Sequence, residues 1–359
     1  MTSHAAADPL LAIRAFGAVT AIGNSSLQTT ASWLTHARKL RLIKLDGFSD
    51  PFTIIDCHTV TSGLSGTARL AALLGSAVAE AFDHVIAMPG PCAEEDERLE
   101  LLVLPSWLSQ PDCEHMSGLL DQWLGSYDAW CAGTRHRQVI QAGSPGAWIA
   151  LEHAFRAMAA RPRITEILIA AVDSACEAAI LRSAAEAGWL LQTDNQEGCI
   201  PGEAAACINL RRVGQITDVP AHGFALHRPT LRAANTRPWP NENQADPTAL
   251  AYSLAGALAC ACLAASEISH LESDMDGSEW RSVIESAALE RVRAGESGLP
   301  AFLHPAKSLG QPGAALGLLC WILPVLLHVH SVERVNSVLN WTIDANGDTA
   351  ACVLERSPY

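Results

Sequence analysis

The stretch Val139-Ile-Gln-Ala-Gly-Ser-Pro-Gly-Ala-Trp148 reads as a short apolar strand that runs into small residues and out into a helix. The helix is marked by Trp148, Leu151, Ala154, Phe155 and Met158, which recur at the spacing of one helical face. An elbow of this kind can hold a thiol at a helix N-terminus, where the dipole and free N–H groups favour the thiolate. Gly143 occupies the point of the turn, so no thiolate can form there. Glycine suits a strained elbow that needs no side chain, and backbone strain is expected at Gly143.

Outward from the elbow, strands and helices alternate. Strands are expected at Leu10 to Ala21, Leu99 to Leu104, Arg137 to Gln141, Glu166 to Ala171 and Ala204 to Arg211, with helices between them. A second series begins with strand material at Gly214 to Leu226 and a Pro/Asn-rich connector from 229 to 247. It continues with helix Thr248 to Ala265, strand Glu267 to Leu271, helix Ser278 to Ala294, and strands Val335 to Ile343 and Thr349 to Leu354. The alternation implies an α/β layered fold. Two halves, 1–211 and 212–359, are expected to share one core.

The chain has 359 residues, 49% of them hydrophobic and 17% charged, enough for one large core or two fused halves. A formal net charge of −14 argues against nucleic acid as a partner. The 11 cysteines show no CxxC pair or ligand spacing, and they read as small buried hydrophobes in a reducing, cytoplasmic setting. Cys260 and Cys262 fall inside an apolar helix. No cofactor or metal is expected, and the first eight residues lack the pattern of a signal peptide. Pro312 to Val329 carries no charged residue over 18 positions. With Pro324 inside it, the run reads as a fully buried helix rather than a membrane span.

Four patches resemble the thiolase superfamily, specifically its β-ketoacyl synthase branch, over nearly the whole chain. Phe16-Gly-Ala-Val-Thr-Ala-Ile-Gly-Asn24 is similar to the first strand and glycine turn, and Gln141 to Ala147 to the nucleophile elbow. Gly198-Cys-Ile-Pro-Gly-Glu-Ala-Ala205 is similar to GFxPGEGA, and His304 to Ala315, with Lys307-Ser-Leu-Gly-Gln-Pro-Gly-Ala-Ala315, to KSxxGHxxGAAG. The resemblance implies a thiolase-like α/β fold of two similar βαβαβ-type halves in α-β-α-β-α layers. It also implies Claisen condensation of acyl thioesters by a Cys–His–His set with a supporting lysine, and a homodimer paired through edge strands.

Carried over residue by residue, that set fails. The cysteine falls on Gly143, the first histidine on Asp274 within Glu272-Ser-Asp-Met-Asp-Gly-Ser-Glu279, and the second on Gln311. Only Lys307 survives. His270 lies close to the first histidine position without its flanking pattern, and Asp344-Ala-Asn-Gly-Asp-Thr349 replaces the glycine-rich GFGGTN loop. Condensation needs a thiolate to hold the acyl group and donors for the thioester oxygen. Glycine cannot be acylated, glutamine cannot shuttle a proton, and an aspartate would repel an enolate. The expected protein is therefore a pseudoenzyme without catalytic residues that acts by binding. Its resemblance to ketosynthase-like proteins encoded beside type VI secretion genes implies an adaptor or chaperone for a secreted effector or spike protein. The alternatives are an acyltransferase that uses Ser144 or a displaced cysteine, and a non-catalytic partner subunit of a ketosynthase.

Other residues read as structural. His136 belongs to a solvated turn before a strand, His153 to a helix surface, and His328 and His330 to a helix end. Asp173 and Ser174 are expected to cap the following helix, and Asp276 to Glu279 another. Trp107, Trp123 and Trp130 read as core filling or as an exposed patch for a protein partner.

Overall fold

Gly17 lies where the first strand crosses a long helix, and a Cβ there would stand 2.1 Å from the carbonyl oxygen of Ala77. That close approach is one of several that draw the chain into layers. The computed structural model describes residues 9–86, 96–127, 130, 133–193, 195–235, 246–296, 298 and 300–359. The first half holds β1 (Leu10–Thr20), α1 (Ser26–Leu34), β2 (Arg41–Ile43), β3 (Phe52–Ile54), α2 (His58–Thr61) and α3 (Gly66–Ile86). After them come β4 (Glu97–Leu104), α4 (Gln110–Leu124), β5 (Thr134–Gln141), α5 (Gly146–Ala160), β6 (Ile164–Ser174), α6 (Ala178–Glu186) and β7 (Glu203–Val213). The second half holds β8 (Phe224–Leu226), β9 (Thr230–Arg232), α7 (Thr248–Ala261), β10 (His270–Ser273), α8 (Glu279–Val292) and β11 (Ala301–Leu303). It closes with α9 (Ala306–Leu309), α10 (Leu316–Val329), β12 (Ser337–Ile343) and β13 (Thr349–Arg356).

One 11-stranded mixed sheet runs β11-β10-β12-β13-β8-β1-β7-β6-β4-β5, with β9 added on β13. Outward from β1 and from β8, the two arms repeat one order. Each half's first strand pairs antiparallel with its last, which pairs antiparallel with a strand that is separated from the next by a parallel ladder. The sequence therefore folds as two similar halves, and β8 joins them by pairing with both β1 and β13.

The layers follow from which faces are apolar. In β6, Ile167, Ile169 and Ala171 enter one cluster while Leu168, Ala170 and Val172 enter another, so a continuous apolar run is buried on both faces. The central cluster holds α5 and α10 between the arms of the sheet. Helices α3 and α4 cover the outer face of the first arm, and α7 and α8 that of the second. This is the α-β-α-β-α arrangement.

At the centre, α5 and α10 touch through small residues. A Cβ on Gly317 would lie 2.5 Å from the Cβ of Ala147 and 2.6 Å from the Trp148 ring. The rings of Trp148 and Trp321 meet edge to face with centroids 5.8 Å apart. Both indole N–H groups donate to Oδ1 of the buried Asn340 on β12, at 3.1 and 3.0 Å.

Several sequence expectations change in the structure. Of the strand material expected at Gly214 to Leu226, only β8 is strand, because Ile216–Asp218 closes a 3-10 turn held by the Asp218 side chain. The connector from 229 to 247 contributes β9, and its residues 236–245 lie outside the described ones. The strand expected at Glu267 to Leu271 begins only at His270, after a 3-10 turn at Ala265–Glu267. Strand β5 starts at Thr134, so His136 is not in a solvated turn: its ring bonds Glu97 at 2.8 Å and Arg161 at 2.8 Å. Six of the described cysteines are buried, but Cys260 and Cys262 are exposed, at the outward end of α7 where the chain turns through φ +54°.

Trp130 is buried and Trp107 and Trp123 pack against the outer cluster, so the three fill core rather than form an exposed patch. Helix α10 buries every residue from Leu316 to Leu327, and no helix among the described residues is long and apolar enough to cross a membrane.

Two glycines test this packing in opposite directions. Gly317→Ala should cost about 1–3 kcal/mol by overpacking, since neither Ala147 nor Trp148 can retreat. Gly118→Ala, in α4 with nothing within 4 Å of the added carbon, should instead gain up to about 1 kcal/mol of helix propensity. Urea unfolding of both variants checks the pair.

Candidate functional site

The elbow is built as its sequence suggests. Strand β5 ends at Gln141, the turn closes with Gly146 N–H donating to the Gly143 carbonyl at 2.9 Å, and α5 starts at Gly146. Gly146 is held by space, because a Cβ there would meet Val103 at 2.6 Å. Gly143 is different. Its φ is not positive, and an added Cβ would meet nothing within 4 Å. The expected strain is absent: neither conformation nor crowding requires glycine at this position. The Ser144 hydroxyl makes no hydrogen bond to an imidazole or carboxylate among the described residues.

The structure brings Asp274 and Gln311 together. Gln311 Nε2 donates to the Asp274 carbonyl at 2.7 Å, while its own backbone is tied to Ile200 and Gly202 of the Gly198–Ala205 patch. Its side-chain oxygen is buried without a partner. The elbow lies beside the segment that follows Gln311, with Gly146 against Ala314. Lys307 does not join them. Its side chain is exposed, so the one residue that survives from the expected set points to solvent.

Asp274 is committed elsewhere. Its Oδ1 lies 2.9 Å from Arg281 Nη1, and Thr342 Oγ1 donates to Oδ2 at 2.6 Å. Burial opposes the charge on Arg281, but Asp274 and Asp276 more than offset it and hold the guanidinium protonated. The carboxylate that was expected to repel an enolate is instead neutralised and turned into the protein. Behind it, burial and the Asp274 charge push Glu285 up to about 8 while Trp341 Nε1 donates to it at 3.0 Å. Glu272, on β10 just before Asp274, is fully buried, and among the described residues both its oxygens lack a hydrogen-bond partner; burial pushes its pKa well up.

One cysteine, Cys199 of the Gly198–Ala205 patch, lies near this cluster, and no motif spacing singles it out in the sequence. Cys199 feels the charges of Asp276 and Arg281, yet burial, then Asp276, push its thiol up to about 12. It is a protonated thiol at physiological pH. His304 is the imidazole nearest in sequence to Lys307. Burial and Lys307 push it down to about 4, and it stacks on Phe302 with centroids 4.2 Å apart. His270 is buried on β10 between the Ser269 hydroxyl and Glu333, outside the cluster's contacts. His153 bonds Gln138 from the face of α5, and His330 caps the end of α10 next to His328. Among the described residues no three metal-ligating side chains gather.

Two buried carboxylates lock the site's frame. Glu203, from the Gly198–Ala205 patch, receives Arg69 Nε at 2.6 Å, Cys57 N–H at 2.6 Å, Thr61 Oγ1 at 2.9 Å and Ser174 Oγ at 2.7 Å. Asp173 does not cap the helix that follows it; α6 begins after Glu177. Its carboxylate accepts from Ala314 N–H at 3.0 Å and Ser174 N–H at 2.8 Å, with Trp107 as a further donor. A strand end of the first half thus pins the entry to α10 of the second. The expected cap at Asp276 to Glu279 takes another form, with Asp276 accepting from Ser278 N–H and hydroxyl. The Asp344 to Thr349 segment is a short hairpin turn between β12 and β13, closed by Asp344 accepting from Asn346 and Asp348.

No protein-family model and no curated protein sequence matches the chain. Solved structures do. A ketosynthase from module 6 of the bacillaene synthase of Bacillus subtilis 168 matches with a TM-score of 0.74 at 14% identity, over 96% of this chain and 72% of its own. The ishigamide ketosynthase/chain length factor matches with 0.68 at 16% identity, over 97% and 99%. A type II ketosynthase solved in complex with its acyl-carrier protein matches with 0.75 at 13% identity, over 97% and 99%. The chain therefore has the thiolase-like fold of the ketosynthases.

Two measurements probe the site directly. Gly143→Cys should fold with a stability within about 0.5 kcal/mol of the parent, because its Cβ enters open space, and should gain no condensation of malonyl and acyl thioesters. Asp173 is raised to about 6 by burial. The folded state therefore binds its proton more tightly than the unfolded chain, and stability should fall as pH rises from about 4 to 6, by up to roughly 3 kcal/mol. Asp173→Asn should flatten that slope in urea titrations across the same window.

Proposed function

We propose that this protein is a catalytically inactive ketosynthase-like scaffold that works by binding a protein partner. One observation carries the reading. The position that the resemblance equates with the nucleophile is a glycine in open space, and those it equates with the two imidazoles are Asp274, paired with Arg281, and Gln311, whose amide donates to the Asp274 carbonyl. Acyl transfer needs a nucleophile that can leave as well as attack, and a donor set aimed at the thioester oxygen. Neither group of this cluster supplies the first. Cys199 stays protonated, and Ser144 has no base.

The partner expected from the sequence resemblance is a secreted effector or spike protein of a type VI system, with this chain as adaptor or chaperone. Among the described residues β5 and β11 end the sheet with a hydrogen-bonded neighbour on one side only, and the resemblance implies a homodimer paired through edge strands. A second reading draws support from the match to a ketosynthase/chain length factor: a non-catalytic subunit beside an active ketosynthase. The two differ in what is recovered with the protein. An effector or spike protein favours the adaptor, and an active ketosynthase favours the subunit.

Incubation with acetyl-, octanoyl- and malonyl-CoA followed by intact-mass measurement should show no acyl adduct. A stoichiometric adduct mapping to Ser144 or Cys199 would make the protein an acyltransferase.

A further inference from the structure

No acidic residue occurs between Pro9 and Leu45, although the whole chain carries 38 acids against 24 bases. Five bases fall in that span, and Lys39 and Lys44 are two of the three lysines in the protein. Arg14 is spent on Glu166, and Arg41 on Asp56 at 3.0 Å through Nε. Arg38, Lys39 and Lys44 are exposed and make no ion pair among the described residues. Arg38, Lys39, Leu40 and Arg41 line a shallow depression of about 350 Å3 with Asp56, His58 and Thr59, and the one carboxylate in that lining, Asp56, is buried and taken up by Arg41.

The same span of sequence exposes apolar side chains. Leu27, Leu34, Leu40 and Leu42 are 53%, 38%, 53% and 66% exposed, four of the nine large hydrophobics exposed among the described residues. Leu42 lies on β2 and Leu40 directly precedes it, and among the described residues β2 is hydrogen-bonded on one side only, to β3. Unpaired cations, exposed leucines and a half-paired strand edge thus coincide within residues 27–44.

We propose that this face docks an acidic, leucine-bearing protein segment laid in extended form along the free side of β2. Main-chain bonds to a strand edge supply affinity, and side chains on either side supply choice. Charge complementarity selects the occupant: a partner segment must carry carboxylates for Arg38, Lys39 and Lys44, and apolar groups for Leu40 and Leu42. Nucleic acid would need a longer run of cations. An anionic membrane would face three free cations backed by a chain of net charge −14. The proposal rests on the binding role stated above and gives it a surface.

The probe is a fluorescein-labelled dodecapeptide of alternating Asp and Leu, compared with an Asp–Gly dodecapeptide and with phosphatidylserine/phosphatidylcholine vesicles. The Asp–Leu peptide should bind saturably, and binding should weaken as salt shortens the screening length below about 8 Å. It should protect Lys39 and Lys44, but not Lys307, from acetylation by an N-hydroxysuccinimide ester. Arg38→Glu/Lys39→Glu and, separately, Leu40→Ser/Leu42→Ser should each weaken binding by at least about tenfold. All these positions are exposed or rim the depression, and circular dichroism checks that the variants fold. Equal binding of the Asp–Gly peptide, unchanged acetylation of Lys39 and Lys44, or capture by the vesicles in place of the peptide would overturn the proposal. The outcome separates from that of the acyl-CoA test. An acylated protein that still binds the peptide here loses the inactive reading alone, and an unacylated one that ignores the peptide loses this surface alone.

Discussion

Two indole N–H groups, one from each half of the chain, converge on a single amide oxygen. Trp148 comes from the helix after the elbow and Trp321 from the equivalent helix of the second half, and Asn340 receives both. In a fully buried setting each donor that lost this acceptor would cost about 1–3 kcal/mol, so the oxygen fixes how the two central helices face one another. Gly317 lets them approach to the distance at which the bonds close. Two parts of the candidate site, the elbow and the segment from Gln311 to Ala315, lead directly into the N-terminal ends of these helices.

That arrangement explains why the frame of the candidate site does not depend on the residue at position 143. The elbow is shaped by Gly146 against Val103 and by the helix behind it, not by the residue at its tip. The entry to α10 is shaped by the Asp173 carboxylate accepting Ala314 N–H across the halves. These contacts are structural, buried and bonded, and they persist whatever side chain stands at 143. Asp274 and Gln311 are tied into the same frame: one anchors Arg281 and Thr342, the other ties its amide to the backbone of the first.

The layered fold was legible because its signals are periodic. The continuous apolar run of β6 and the all-round apolar helix α10 each announce burial on every side, and the structure buries them so. Short elements were not legible. β2 and β3 are three residues each and carry no sustained period, and β8 is three residues within a stretch that reads as strand throughout. The site was legible as substitutions but not as contacts. Nothing in the spacing shows that Lys307 turns outward, that Arg281 reaches back seven residues to Asp274, or that Asp173 serves a helix far along the chain. Those facts depend on which strand ends meet, which no local pattern encodes. The reading of Gly143 as strained failed for a related reason: a tight turn in sequence is a tight backbone only where φ or a neighbour makes it so.

The outward end of α7 has a practical consequence. Six of the nine described cysteines are sealed in packed interior, but Cys260 and Cys262 stand in solvent with one residue between them. In air these two meet an oxidant first, and thiolate exchange between molecules needs only such access. A covalent pair joined there would mimic self-association and owe nothing to the sheet edge. Sizing of this chain has meaning only in the presence of reductant.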